Sequence, residues 1–167
     1  MYLIVKIFGV CLVVFASFFV GCYQSNKLYK RKEFYKSLLV FLNTFATHIR
    51  YEASDIFTLI DLSADNSGLA CLKIEADLYS SFDSQWCNVI KKIPQTYSLN
   101  TDDFKLLAEF GNELGKTDVE GQLKHIELYK TIFAKQLSCA EEDVRQKSKL
   151  YKVIGFFTGS AVALMIM

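Results

Sequence analysis

The arrangement closest to phosphate chemistry in this chain is Gly115-Lys116-Thr117. A lysine and a hydroxyl after a glycine form the end of a P-loop, where backbone amides cradle phosphates and the lysine neutralises them. The spacing is wrong. The upstream glycine belongs five residues before Gly115, where Phe110 stands, and Gly111 is one place off. The context is wrong as well, since a P-loop follows a strand and this segment follows a helical pattern. The segment reads instead as a joint between two helices, closed by Gly115 and reopened by a capping box at Thr117-Asp118-Val119-Glu120.

No other group of residues assembles a catalyst. His48 and His125 are the only histidines, and neither has Cys or His at ligand spacing, so no metal site is expected. Both lie on helical patterns beside apolar positions and read as partly buried residues. The five cysteines, Cys11, Cys22, Cys71, Cys87 and Cys139, form no CxxC pair and suit reduced thiols better than a disulfide scaffold. Local spacing offers no nucleophile–base pair. Neither enzymatic activity nor a cofactor is expected. Glu141-Glu142-Asp143 stands near Lys135, Arg145 and Lys147 and reads as a solvated, internally paired helix face; the other reading is a contact for a basic partner. A net charge of +1 over 167 residues gives no global field for nucleic acid.

The elements that carry these residues are helical. A single proline, Pro94, argues for long uninterrupted helices, and no segment reads as a strand. Tyr35, Leu38, Leu42, Phe45, Ile49, Ile56 and Leu59 recur at helical steps and predict one helix from about Lys27 to Leu62. Asp65-Asn66-Ser67-Gly68 marks a turn. A second helix is predicted over about Leu69–Ile93, ended by Pro94, although Ser80–Asn88 is poor in apolar residues. Thr101 is the expected cap of a third, with Asp102 and Asp103 complementing its positive start. A fourth long helix from about Asp118 to Tyr151 carries Val119, Leu123, Ile126, Phe133, Leu137, Ala140 and Val144 as its buried stripe.

The two ends differ from the middle. Leu3–Tyr23 is apolar except for Lys6, roughly 20 residues and about 30 Å of helix, the thickness of a bilayer core. Lys27, Lys30, Arg31, Lys32 and Lys36 follow it. Val153–Met167 is also apolar and uncharged, about 22 Å long, and is preceded by Lys147, Lys149 and Lys152. Both basic flanks fall on the side of the middle segment, so the positive-inside rule puts that segment in the cytoplasm, with the lysines as anionic-lipid contacts. Gly155 and Gly159 form a GxxxG that allows close helix packing, with self-association left open. A rival reading takes Phe19-Val20-Gly21-Cys22 as a lipobox, which makes the chain a lipoprotein or adaptor with an exported helical domain. Phe19 fits a lipobox poorly, and the positive charge follows the apolar run where a cleaved signal peptide carries it in front.

Leu114-Gly115-Lys116-Thr117-Asp118 followed by Gln122 resembles the "LG.tD...Q" signature of the stage III sporulation protein AB family. The frame around it agrees: an apolar start, a basic flank, a helical domain, the signature, a long helix, then Lys149-Leu150-Tyr151 and a glycine-containing apolar end. That family is similar to the cytoplasmic domains of the inner-membrane platform proteins of type II secretion and type IV pili. The resemblance implies a mother-cell membrane protein of an endospore former. It also implies a part of the channel to the forespore that works with a secretion-type ATPase of the same operon and other channel subunits. The expectation is therefore an all-α antiparallel bundle: a transmembrane helix at 1–25, a cytoplasmic helical domain at 26–150, and a transmembrane or membrane-inserted helix at 151–167. Leu114, Gly115, Lys116, Thr117, Asp118 and Gln122 are the candidate partner contact, or serve only the tight turn.

Overall fold

The computed structural model describes residues 2–52, 54–74 and 81–166; the side chains at 2–8, 10, 11, 13, 163 and 166 lie outside that description. Among the described residues the chain is all-α. Five α-helices are present: α1 (Tyr2–Tyr51), α2 (Ile56–Ser67), α3 (Phe82–Lys91), α4 (Thr101–Asn112) and α5 (Val119–Ile166). Single 3₁₀ turns stand at Ala70–Leu72 and Gln95–Tyr97.

Several helix ends differ from the sequence expectation, each for a local reason. The helix expected over Lys27–Leu62 is two helices. Asp55 takes an extended conformation and its carboxylate accepts the amide of Phe57, which starts α2 afresh. Asp65, Asn66 and Ser67, expected to form a turn, are the last turn of α2, and Gly68 alone turns out of the helix with φ 72°. The long second helix is replaced by a 3₁₀ turn and the ten-residue α3, because Lys73 is extended and Ser81 caps α3 through the amide of Ser84. The part of that expectation at 75–80, including Leu78, lies outside the described residues. The cap of α4 is Asn100, not Thr101. Asn100 accepts the amide of Asp103 and Asp103 accepts the amide of Asn100, a complete capping box.

The chain divides into two compact units. The first is residues 31–138. Its core is aromatic: Phe34, Tyr35, Phe41, Phe45, Trp86, Phe110 and Phe133 are fully buried. Rings run edge-to-face or tilted from Trp86 to Phe110 (6.0 Å), on to Phe133 (6.1 Å) and on to Tyr35 (6.1 Å), linking α3, α4, α5 and α1. Trp86 lies flush on α4. Its Nε1–H donates to the carbonyl of Leu107 at 2.8 Å, and a Cβ at Gly111 would sit 1.9 Å from its ring. On α5 this unit's buried stripe is Gln122, Ile126 and Phe133; Val119, expected in that stripe, is 55% exposed.

The second unit pairs residues 1–30 with 139–167. Here small residues make the contact. Gly155 lies against the backbone of Ser17 and Gly21, Gly21 against Tyr151, and Gly159 against Val14. The hydroxyl of Ser17 donates to the carbonyl of Gly155 at 2.7 Å, and Ser25 and Ser148 share a buried hydrogen bond at 3.1 Å. The large side chains point outward: Phe15, Phe19 and Phe157 are each about two-thirds exposed. Among the described residues no helix is long and apolar enough to cross a membrane. The apolar run Leu3–Tyr23 rests in large part on side chains outside that description.

Candidate functional site

The signature residues meet at the joint between α4 and α5. Leu114 is buried, and its amide donates to the carbonyl of Gly111 at 3.1 Å. Gly115 follows with φ 78°, the left-handed conformation that favours glycine. Asp118 is the cap of α5: its carboxylate accepts the amide of Gly121 at 3.0 Å, a role that Thr117 was expected to fill. Thr117 instead accepts a hydrogen bond from Nε2 of Gln122 at 2.9 Å. The same nitrogen donates to the carbonyl of Glu113 at 3.2 Å. Gln122, buried on the first turn of α5, thus ties both sides of the joint together.

Five of the six signature residues therefore build the joint. Lys116 does not. Its side chain is about half exposed and makes loose ion pairs with Asp83 at 3.6 Å and Glu113 at 4.0 Å. Exposed pairs of this length contribute little to stability. Lys116 is the charged tip of a segment, 115–120, that is exposed throughout. The joint is a helix–turn–helix and not a phosphate cradle.

Sequence reasoning missed two glycines here. A Cβ at Gly121 would come within 2.7 Å of the Thr117 hydroxyl and 2.9 Å of the Asp118 carboxylate, so only glycine leaves the cap its room. A glycine in a helix costs about 1 kcal/mol relative to alanine, and its presence three residues after Asp118 was the available signal. Gly111, noticed only as a misplaced P-loop glycine, is the seat of Trp86.

A second cluster was not foreseen. Arg31 was expected to face lipid with the neighbouring lysines. It is turned instead to Asp103, which it grips with Nε at 2.8 Å and Nη2 at 2.7 Å. The Tyr35 hydroxyl donates to the same carboxylate at 2.5 Å, and the Asn100 amide completes four donors on a side chain only 3% exposed. Burial pushes the Asp103 carboxyl up. The bonds from Arg31, Tyr35 and Asn100 outweigh that and hold it below the usual carboxylate range. The bond to Asp103 raises the Arg31 guanidinium further, and burial followed by the Asp103 contact raises the Tyr35 phenol. The cluster joins α1 to the capping box of α4 and is structural.

The remaining basic residues divide. Lys32 is near Glu33 at 3.8 Å, and Lys147 pairs with Asp143 at 2.6 Å. The Lys27 ammonium lies 4.9 Å from the Tyr23 ring centre. Lys30, Lys36, Lys149 and Lys152 are exposed. Glu142 pairs with Arg145, so the acidic run is internally paired. His125 donates from Nε2 to the Phe110 carbonyl and stacks on the Phe110 ring; His48 meets Glu52. Among the described residues no group of three metal-ligating side chains exists, and Cys22, Cys71, Cys87 and Cys139 are free thiols.

A profile of the stage III sporulation protein AB family matches residues 6–167. The chain belongs to that family. A member from Bacillus subtilis (strain 168), itself named stage III sporulation protein AB, is 25% identical over 97% of this chain and 99% of its own length. No solved structure matches. Membership gives the chain a role in sporulation. The residues that resemble the family's signature are mostly those that shape the α4–α5 turn.

Proposed function

We propose that this chain is a non-catalytic, membrane-anchored platform in the mother cell. On this reading it belongs to the channel that faces the forespore, and residues 31–138 lie in the cytoplasm and offer the α4–α5 joint to a secretion-type ATPase. The observation that carries the membrane part is the placement of large apolar side chains. In the paired ends they point away from the partner helix, and Phe15, Phe19 and Phe157 have no protein around them to bury them. A surface of that size and chemistry is costly in water and suits lipid. Lys27, Lys30, Lys149 and Lys152 flank it on one side, which supports the cytoplasmic orientation. Gly21 packs against Tyr151, so Cys22 stands within a paired helix. A lipoprotein cleaved before Cys22 would discard the residues that cover Gly155 and Gly159, which favours the uncleaved anchor.

The docking part rests on the division within the joint. Its framework is hydrogen-bonded within itself, and Lys116 stands half exposed at the tip with only loose ion pairs. Labelling with a membrane-impermeant maleimide tests the topology: Lys105→Cys, in a background with the native cysteines replaced by serine, is expected to react only after the cell is opened. Labelling of intact cells overturns the orientation. Lys116→Glu is expected to abolish co-purification of the ATPase and to lower sporulation. Unchanged co-purification and spore counts overturn the contact.

A further inference from the structure

The sequence left the last apolar segment short, at Val153–Met167. The register of the two paired helices sets that segment level with the first. Gly21 meets Tyr151, Ser17 meets Gly155, and Val14 meets Gly159, so the helices run antiparallel and in step. Ser25 and Ser148 continue the same register at the other end through their hydrogen bond, which the Tyr29 hydroxyl joins at 3.4 Å. Seven residues beyond Gly159 is Ile166, and seven before Val14 is Ile7. At an α-helical rise these two backbones are level, one residue from Lys6. At the opposite end Lys149, next to Ser148, is level with about Gln24. Lys152 is level with about Gly21, and the uncharged stretch from there to Ile166 is about 21 Å of helix, with the Lys152 ammonium within snorkelling reach of the Lys149 level.

That register also gathers basic residues contributed by both ends. Lys27 and Lys30 are three residues apart and share a face of α1; Lys149 and Lys152 do the same on α5. Among the described residues none of the four has a carboxylate partner. Arg31, Lys32 and Lys147, their neighbours in sequence, each have one. Tyr23 and Tyr29 stand exposed beside them, and Lys27 lies over the Tyr23 ring. Aromatic rings and lysines at the edge of an apolar surface are the composition of a headgroup boundary. We propose that Lys27, Lys30, Lys149 and Lys152 form one two-helix collar that holds the phosphates of anionic phospholipids, at the near face of a bilayer crossed by both helices. This rests on the membrane-anchored reading above. The charge pattern selects the occupant, because four cations without protein counter-charges beside exposed phenylalanines match an anionic lipid surface at both levels.

The full chain, reconstituted in nanodiscs of mixed phosphatidylcholine and phosphatidylglycerol, tests this by native mass spectrometry of the lipids that stay bound. The wild type is expected to retain phosphatidylglycerol in preference, and excess inorganic phosphate is not expected to displace it. Replacing all four lysines by glutamine is expected to lower the retained phosphatidylglycerol at least about fivefold, with helical circular dichroism unchanged. Lys91→Gln, Lys92→Gln and Lys105→Gln together, which remove exposed lysines of the other unit, are expected to change nothing. If the fourfold variant does not fold, Lys27→Gln with Lys30→Gln, and Lys149→Gln with Lys152→Gln, are each expected to give a partial loss. Retention unchanged in the collar variants, equal loss in the control, or displacement by phosphate overturns the collar while leaving the anchor intact. A wild type that is stripped from vesicles by alkaline carbonate overturns the anchor itself.

Discussion

In residues 31–138 the largest side chains face inward and grip one another. In the paired ends the smallest face inward and the largest face out. Trp86, Phe110, Phe133 and Tyr35 form a ring chain around which four helices close, and burial of such rings is what water drives. Ser17, Gly21, Gly155 and Gly159 instead let two backbones touch, with hydroxyl groups donating across the contact. Backbone proximity and hydrogen bonding are what remains when the surroundings are as apolar as the side chains. The two regions are therefore built on opposite patterns, although α1 and α5 contribute residues to both. They should also fail separately.

Asp103→Ala is the strongest way to break the aromatic unit. It removes four hydrogen bonds and the buried carboxylate that faces the Arg31 guanidinium, at a cost of about 3–5 kcal/mol. Urea unfolding in mild detergent, followed by the emission of the single tryptophan, Trp86, reports this unit alone. A cysteine pair at Ser25 and Ser148 should still cross-link in that variant, whereas Gly155→Val should abolish the cross-link and leave the Trp86 transition in place. Loss of both properties in either variant would show that the two regions are one cooperative structure. The same carboxylate sets an acid limit. Its pKa is lower folded than unfolded, so its contribution is full above the unfolded value near ~3.9 and is lost as pH falls through the folded value. Asp103→Asn should flatten that part of the stability profile between pH 5 and the lowest workable pH.

The next test sharpens the idea that the aromatic unit depends on one flat contact. Gly111→Ala drives a methyl group into the Trp86 indole, and the ring must shift or lose its bond to the Leu107 carbonyl. A cost of about 1–3 kcal/mol is expected, with a red shift in emission as the indole is wetted. An unchanged spectrum would mean that α3 and α4 slide apart without strain.

Much of this organisation was legible beforehand, and the gaps have physical causes. The all-helical class, the closure at Gly115 and the stop before Pro94 follow from local backbone chemistry, which one sequence carries in full, whereas the turn expected from Asp65 begins only at Gly68 because α2 runs on to Ser67. The break before α2 was hidden because Ile49, Ile56 and Leu59 keep a helical period across it, although α1 ends at Tyr51 and Asp55 caps a new helix. The predicted helix through Leu69–Ile93 failed because Ser81 starts a helix of its own. Arg31 and Asp103 stand 72 residues apart, so no spacing rule could pair them, and a cation in a basic run reads as one of the run. The signature was visible as a motif. Its division into framework and tip was not, because that depends on which way Gln122 and Lys116 point.

That division gives the smallest and most discriminating pair of effects. Asp118→Ala removes the only side-chain bond to the first-turn amide of Gly121 seen among the described residues, and should cost about 1 kcal/mol, as cap losses do. Lys116→Ala removes two loose, half-exposed ion pairs and should change stability by less than about 0.5 kcal/mol. The two residues are neighbours in one exposed turn, so a difference between them cannot come from location. If Lys116→Ala is as stable as the wild type and still lowers sporulation, the family signature contains a contact as well as a turn. If only Asp118→Ala has an effect, and that effect tracks the lost stability, the signature is the turn alone and the α4–α5 joint is no docking contact.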